Sequence, residues 1–237
     1  IIYEGRNGYC DEAEQEEIDL TTVFEAGSLT KQMTAAAILK MDAEGLLSIE
    51  DKVSEYFPEC SFADEVTIRE LMNMNSHIPD YMQDERISDI KSQEDVADLI
   101  LSMEPEAEVT GYSNSNYYLL GLIIEQISGQ SYAEYMEENF FDKIGMLHTQ
   151  MGCSDEEKSP AIAGTESYPY YLTYAAGGLC TNLYDLYQWE LAYFRGKVLP
   201  EQYFSEVLAA DGIYLYGLEC EDGVYFHQGE TMNFVSY

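Results

Sequence analysis

Positive charge is scarce in this chain: 11 Lys and Arg stand against 45 Asp and Glu in 237 residues, a formal net charge of -34. That scarcity excludes nucleic acid as a partner, because neutralising phosphates takes clustered Lys and Arg. What it leaves is read first as a strongly soluble, self-repelling surface, with a role in rejecting anionic substrates as the lesser alternative. Metal-ligand patterns are missing too. The three histidines, His77, His148 and His227, have no helical ligand spacing, and the five cysteines, Cys10, Cys60, Cys153, Cys180 and Cys220, contain no C-x-x-C pair. An odd, scattered set reads as buried thiols rather than a disulfide framework or a zinc site, so neither metal nor cofactor is expected. The glycine patterns of nucleotide sites are absent, as are a signal peptide and an apolar run long enough to span a membrane. Because the chain opens without Met on an apparent strand, Ile1 to Glu4, and closes on another, Asn233 to Tyr237, it reads as a fragment. The missing targeting signal therefore decides nothing. A hydrophobic content of 46% with 17 Gly and 6 Pro is that of a globular chain, one large domain or two intimately packed ones.

What the sequence does have is a small-residue turn, Ala26-Gly27-Ser28, leading into a helix apolar on nearly all sides, Met33 to Met41. Ser28 and Lys31 are three apart, so on a helix the lysine amine reaches the serine hydroxyl. Serine is unreactive unless activated in such a way, and the N-H groups of a helix start favour negative charge developing beside it. Ser88-Asp89-Ile90-Lys91 has the same spacing, but its polar surroundings suit a surface helix.

Short strands are expected at Ile1 to Glu4 and Val23 to Glu25, around an acidic, solvated segment from Asp11 to Asp19. The Ser28 helix should stop near Gly45. Helices then dominate to about residue 165. A short one follows Ser48 and ends at Phe57-Pro58, capping boxes open two more at Thr67 and Ser131, and apolar helices cover Val96 to Met103 and Tyr117 to Gly129. A loop is expected from Tyr168 to Tyr174, a Thr181 cap before a helix through Trp189 to Phe194, and a helix starting at Pro200. Ile213 to Leu218 and Val224 to His227 form a hairpin turning at Asp222-Gly223. The pattern is α+β: strands from the two ends of the chain beside a helical insertion.

Two further stretches carry chemistry. Gly111-Tyr112-Ser113-Asn114 lies at a loop-to-helix junction, where a nearby lysine ammonium would lower the Tyr112 pKa and make its phenolate a proton acceptor. Asn114 has the donors and acceptor to hold a substrate amide while contacting Lys31. His227-Gln228-Gly229 closes the last hairpin strand, where a glycine lets substrate approach and a backbone N-H can complete an oxyanion hole.

Ser28-x-x-Lys31, Tyr112-x-Asn114 and His227-x-Gly229, in that order, resemble the serine β-lactamase and penicillin-binding-protein superfamily, in its class C-like branch with D-alanyl-D-alanine carboxypeptidases and esterases. Its class A relatives carry Ser-Asp-Asn and Lys-Thr-Gly in the second and third places. Ala176-Gly177-Gly178-Leu179 and the segment from Leu46 to Pro58 add to the resemblance. It implies an antiparallel sheet flanked by helices (1–45 with 166–237) and an all-helical subdomain (46–165), truncated at both ends, with the site between them. It implies acylation of Ser28, proton transfer by Lys31 and Tyr112, substrate binding by Asn114, His227 and Gly229, and an oxyanion hole of the Ser28 and Glu230 N-H groups. The expected substrate is a small molecule or peptide, of peptidoglycan origin or otherwise, hydrolysed without metal outside the cytoplasmic membrane. A non-hydrolytic sensor of cell-wall fragments or β-lactams on the same fold is the alternative. The chain departs from the family pattern at Met74, where a His is usual, and at His77, where a Gly is usual. His227 in place of Lys weighs against class C β-lactamase activity, and Glu230 puts an acid beside the oxyanion hole.

Overall fold

The apolar run after Ser28 folds as a buried helix on which the other elements pack. A computed structural model describes residues 5–11, 16–60, 62–106, 111–153, 167–210 and 212–237. In chain order the elements are β1 (Tyr9–Asp11), β2 (Glu16–Glu17), β3 (Phe24–Gly27), α1 (Thr30–Ala43), α2 (Ile68–Met72), α3 (Gln93–Leu101), α4 (Asn114–Ser128), α5 (Tyr132–Met136) and α6 (Asp142–Ile144). They continue with β4 (Gln150–Met151), α7 (Tyr170–Gly177), β5 (Leu179–Thr181), α8 (Leu183–Phe194), α9 (Glu201–Ala209), β6 (Ile213–Leu215), β7 (Leu218–Glu221), β8 (Val224–Phe226), β9 (Gly229–Glu230) and β10 (Val235–Ser236). The strand expected at Ile1 to Glu4 lies outside the described residues.

All paired strands run antiparallel, in the orders β3-β5-β4, β6-β7-β8, β9-β10 and β1-β2. The β9-β10 pair lies against β3, with Ser236 Oγ donating to the Ala26 carbonyl at 2.8 Å. A Cβ on Gly229 would collide with that same carbonyl. The glycine is thus required by strand packing. β4 joins the sheet from within the stretch expected to be helical.

Along α1 the residues Met33, Ala35, Ala36, Ala37, Ile38, Leu39 and Met41 are all buried. Three successive alanines let α4 and α7 come close, and α4 answers with buried Tyr117, Tyr118, Leu119, Leu120, Ile123 and Ile124. Thr34 ties α1 to α7 and to α5: its hydroxyl donates to the Ala175 carbonyl at 2.7 Å and lies 2.6 Å from the Tyr132 hydroxyl. Helix boundaries follow local signals where these are strong. Both capping boxes form, Thr67 with Glu70 and Ser131 with Glu134, and Gly129 and Gly145 end their helices with positive φ.

Four expectations are corrected by tertiary contacts. The helix after Ser48 shrinks to a 3-10 turn at Val53–Glu55, because the Val53 and Ser54 N-H groups donate to the Val66 and Ala63 carbonyls and the Asp51 carbonyl accepts from Ile68, which takes them out of a helical ladder. The Tyr168 to Tyr174 loop is helical from Tyr170, then breaks at Tyr174, whose φ of 36° and ψ of -130° lie outside any helix. Thr181 ends β5 and turns its hydroxyl to Thr149, so Asn182 caps α8 instead, accepting from the Asp185 N-H at 2.7 Å. The run from Ile213 to Leu218 folds back on itself at Tyr216-Gly217, making Tyr214 and Glu219 cross-strand partners, while the β7-β8 turn at Asp222-Gly223 forms as expected.

The reading of the cysteines is corrected as well. Pairing of β4 with β5 sets Gln150 opposite Cys180, and two residues beyond β4 Cys153 reaches back to form a disulfide with Cys180 across 27 residues of sequence. Cys10, Cys60 and Cys220 are buried thiols. Closing a loop of that length contributes about 3 kcal/mol by restricting the unfolded chain. Reduction is therefore expected to move the urea unfolding midpoint down by that equivalent, and an unchanged midpoint would remove the disulfide's structural role.

Candidate active site

Strand β3 ends at Gly27, whose φ of 53° turns the chain sharply into α1 and leaves Ser28 in the turn between them. A side chain at Gly27 would meet the backbone N and O of Glu230 at 2.9 Å, so the backbone of β9 sits directly against the serine turn. The turn is held by Thr30 Oγ1 donating to the Gly27 carbonyl at 2.6 Å and by the Lys31 N-H donating to the Ser28 carbonyl at 3.0 Å. Among the described residues, no backbone carbonyl takes the Ser28 N-H.

Lys31 lies one residue into α1 and is completely buried. Its Nζ is 2.6 Å from the Ala176 carbonyl, 2.9 Å from Asn114 Oδ1 and 2.9 Å from Ser28 Oγ. Burial lowers its pKa to about 7, against an upward pull from the Asp80 carboxylate. A neutral amine has two N-H donors and one lone pair. Carbonyl oxygens only accept, so Ala176 and Asn114 take both donors and the lone pair faces the Ser28 hydroxyl. The Asn114 orientation is itself enforced, because its Nδ2 donates to Asp80 Oδ2 at 2.8 Å. Asp80 is held in turn by the Met82 N-H at 3.0 Å.

The kink at Tyr174 makes this possible. Past the break, the Ala175 and Ala176 carbonyls turn to Thr34 and Lys31 instead of continuing a helical ladder. Strain of this kind costs roughly 1–3 kcal/mol and persists where packing over-determines it. Here Tyr174 is buried among the rings of Tyr118, Tyr132 and Tyr170.

Tyr112 donates its hydroxyl to Ser28 Oγ at 2.6 Å. Its residue surface is 45% exposed, yet the hydroxyl end points into the site, and desolvation there raises its pKa despite the hydrogen bond to Ser28. The phenolate expected from sequence is therefore corrected: desolvation outweighs the hydrogen bond to Ser28, Asp80 and Glu219 add negative charge, and Tyr112 remains a phenol able to donate. His227 is also buried, and burial together with the Lys31 charge lowers its pKa to about 4. Nδ1 lies 2.6 Å from the Gln228 carbonyl, which must accept, so Nε2 accepts from Tyr214 OH at 3.2 Å. The third motif consequently offers a neutral imidazole.

Ser28, Lys31, Tyr112 and Asn114 thus meet in one hydrogen-bonded group, His227 stands beside the Tyr112 ring with centroids 6.0 Å apart, and Glu230 contributes backbone. The rival pair separates, since Ser88 lies on an exposed 3-10 turn and its hydroxyl donates to the Glu85 carbonyl. Met74 is buried and accepts from Asn116 Nδ2, and exposed His77 has a φ of 62°, the left-handed backbone for which the resemblance places a glycine. Sequence reasoning missed Asp80, Tyr214 and the Ala176 carbonyl. Asp80 had a faint signal, a capping-type residue after Pro79, whereas Tyr214 is one of 21 tyrosines and a backbone carbonyl leaves no trace in residue type.

Comparison with known proteins places these features in company. The model of a family described as Beta-lactamase matches residues 1–212. Penicillin-binding protein 4* of Bacillus subtilis (strain 168) is 34% identical over 161 residues, 64% of this chain and 35% of that protein. Putative penicillin-binding protein PbpX of the same organism is 26% identical over 243 residues, 95% of this chain and 59% of that protein. The chain therefore spans between about a third and three fifths of those relatives' lengths. Among solved structures, the D-amino acid amidase from Ochrobactrum anthropi SV3, complexed with L-phenylalanine amide, has the same fold with a TM-score of 0.79 at 21% identity, over 94% of this chain and 74% of that one.

The electrostatics of Lys31 predict a pH profile. Ser28 loses its proton only to a neutral amine, so its rate of modification by a phosphonate ester should rise with pH about a midpoint near 7. Asp80→Asn removes the carboxylate that raises the Lys31 pKa and keeps an acceptor for Asn114, so the midpoint should move lower. A midpoint that stays put or rises would contradict this account of Lys31.

Proposed function

Since the chain belongs to the beta-lactamase family, we propose that it is a serine hydrolase cleaving a small amide or ester through acylation of Ser28 Oγ. The observation that carries this reading is the threefold bonding of Lys31 Nζ, which leaves its lone pair one direction only, toward the nucleophile. Lys31 takes the Ser28 proton as Oγ attacks the carbonyl carbon, and the oxygen of the tetrahedral intermediate is stabilised by the N-H groups of Ser28 and Glu230. Tyr112, a phenol hydrogen-bonded to Ser28, protonates the departing amine or alkoxide and is reprotonated at the expense of the Lys31 ammonium. Asn114 holds Lys31 in place and presents its amide to the substrate. Water then attacks the acyl-Ser28 ester, releasing the acid and restoring the hydroxyl.

D-alanyl peptides are the first substrates to test and small esters the second. The neutral state of His227 supports peptidase or esterase chemistry over class C β-lactamase chemistry, because the site lacks the permanent cation that a lysine at the third motif would supply. The Cys153–Cys180 disulfide supports a place outside the cytoplasm, since such bonds persist in oxidising compartments.

Hydrolysis of p-nitrophenyl acetate should fall by at least about 1,000-fold in Ser28→Ala, with unchanged unfolding behaviour. Incubation with a fluorophosphonate or a fluorescent penicillin should add one label, mapped by mass to Ser28. Retained turnover in the alanine variant would refute the acyl-Ser28 mechanism.

A further inference from the structure

Beside Tyr112, on the side of β6 and β7, lies a cavity of about 470 Å³ lined by Met74, Asn75, Tyr112, Tyr214, Leu215 and Glu219 among others. Its walls mix aromatic and aliphatic side chains with two asparagines and the Glu219 carboxylate, and they begin at the residue that touches Ser28 Oγ. Tyr214 and Glu219 are direct cross-strand partners, so their side chains share one face of the β6-β7 ladder. Tyr112 meets Tyr214 edge to face with ring centroids 6.2 Å apart. Glu219 is close enough for its charge to act on both tyrosines, is only partly exposed, and has no ion-pair partner among the described residues. No Lys or Arg lines the cavity. A second cavity of about 260 Å³ that also borders Tyr112 is lined by Asp80 and Asp84, again with no cation in its wall, although Asp84 is paired with Arg86.

We infer that the β6-β7 cavity is a subsite for an ammonium group, with Glu219 as its counter-ion and the Tyr112 and Tyr214 rings as its walls. This rests on the serine-hydrolase reading for the identity of the reacting group and goes beyond it in naming the substrate class: amides or esters that carry a free amine. An unpaired, half-buried carboxylate attracts a cation, and aromatic faces add to that attraction. The same arrangement disfavours substrates bearing a carboxylate near the scissile bond. They would meet Glu219, Asp80 and the exposed Glu230, with a neutral imidazole at His227 where a cation would be needed.

The test separates binding from turnover. Calorimetry on the Ser28→Ala protein should give a Kd for D- or L-phenylalanine amide at least about tenfold tighter than for the N-acetylated amide, the preference expected for a hydrogen bond to a charged group. Adding Glu219→Gln should collapse that ratio toward one, the acetylated amide serving as the control for folding in the same variant. Equal or tighter binding of the acetylated form, absence of binding by the free amine, or a ratio unchanged by Glu219→Gln would each overturn the subsite. Turnover of p-nitrophenyl acetate by the unaltered chain reports on the hydrolase reading alone: if that ester is cleaved through Ser28 while the amine preference is missing, the subsite fails and the hydrolase reading stands. If the ester is not cleaved, the calorimetric ratio still decides the subsite.

Discussion

The candidate site depends on the burial of one lysine amine between two carbonyl acceptors and the Ser28 hydroxyl. Taking Lys31 out of water costs several kcal/mol in the charged form, and that cost is what brings its pKa to about 7. Each surrounding group follows from keeping the amine satisfied there. Asn114 must show its oxygen, so Asp80 must hold its nitrogen; Ala176 must turn its carbonyl inward, so the chain must break at Tyr174. The nearly all-round apolar surface of α1 is the same requirement seen from the other side, since only a fully buried helix desolvates a residue in its first turn.

Packing around that helix explains why the site draws on parts of the chain far apart in sequence. The serine comes from the β3-α1 turn, the tyrosine and asparagine from the start of α4, the carbonyl from α7, and the imidazole and a backbone edge from β8-β9. Glycines sit where backbones must touch: Gly27 against Glu230 and Gly229 against Ala26. These contacts bring the β9-β10 pair to the nucleophile without any side chain between. The Cys153–Cys180 link secures the β4-β5 pairing, so the sheet that carries β3 is held by a covalent bond as well as by ladders.

The charge character of the site is as distinctive as its geometry. A buried lysine near neutrality, an unprotonated histidine and several carboxylates leave it without a permanent cation. In a chain with net charge -34 this makes both the local and the long-range field unfavourable to anions. A shared fold does not fix an activity; function is set by the site's own groups.

Local signals in the sequence were enough for the capped helices, for the glycine stops, for the Asp222-Gly223 turn and for the choice of Ser28 over Ser88, because each rests on residues within a few positions of one another. The meeting of Ser28, Lys31, Tyr112 and Asn114 was legible through the resemblance that their motifs, taken together, bear to one superfamily. Other features were beyond its reach. Whether Tyr112 is phenol or phenolate depends on how deeply its hydroxyl is desolvated, whether Gly229 serves substrate or packing depends on β3, and whether Cys153 meets Cys180 depends on the register of β4. The Ala176 carbonyl depends on a backbone break that no residue type announces. Residue order alone determined which chemical groups the protein owns and the local turns that present them; burial, strand register and the kink at Tyr174, which arise only when distant segments compete for the same space, decided their protonation and what they face.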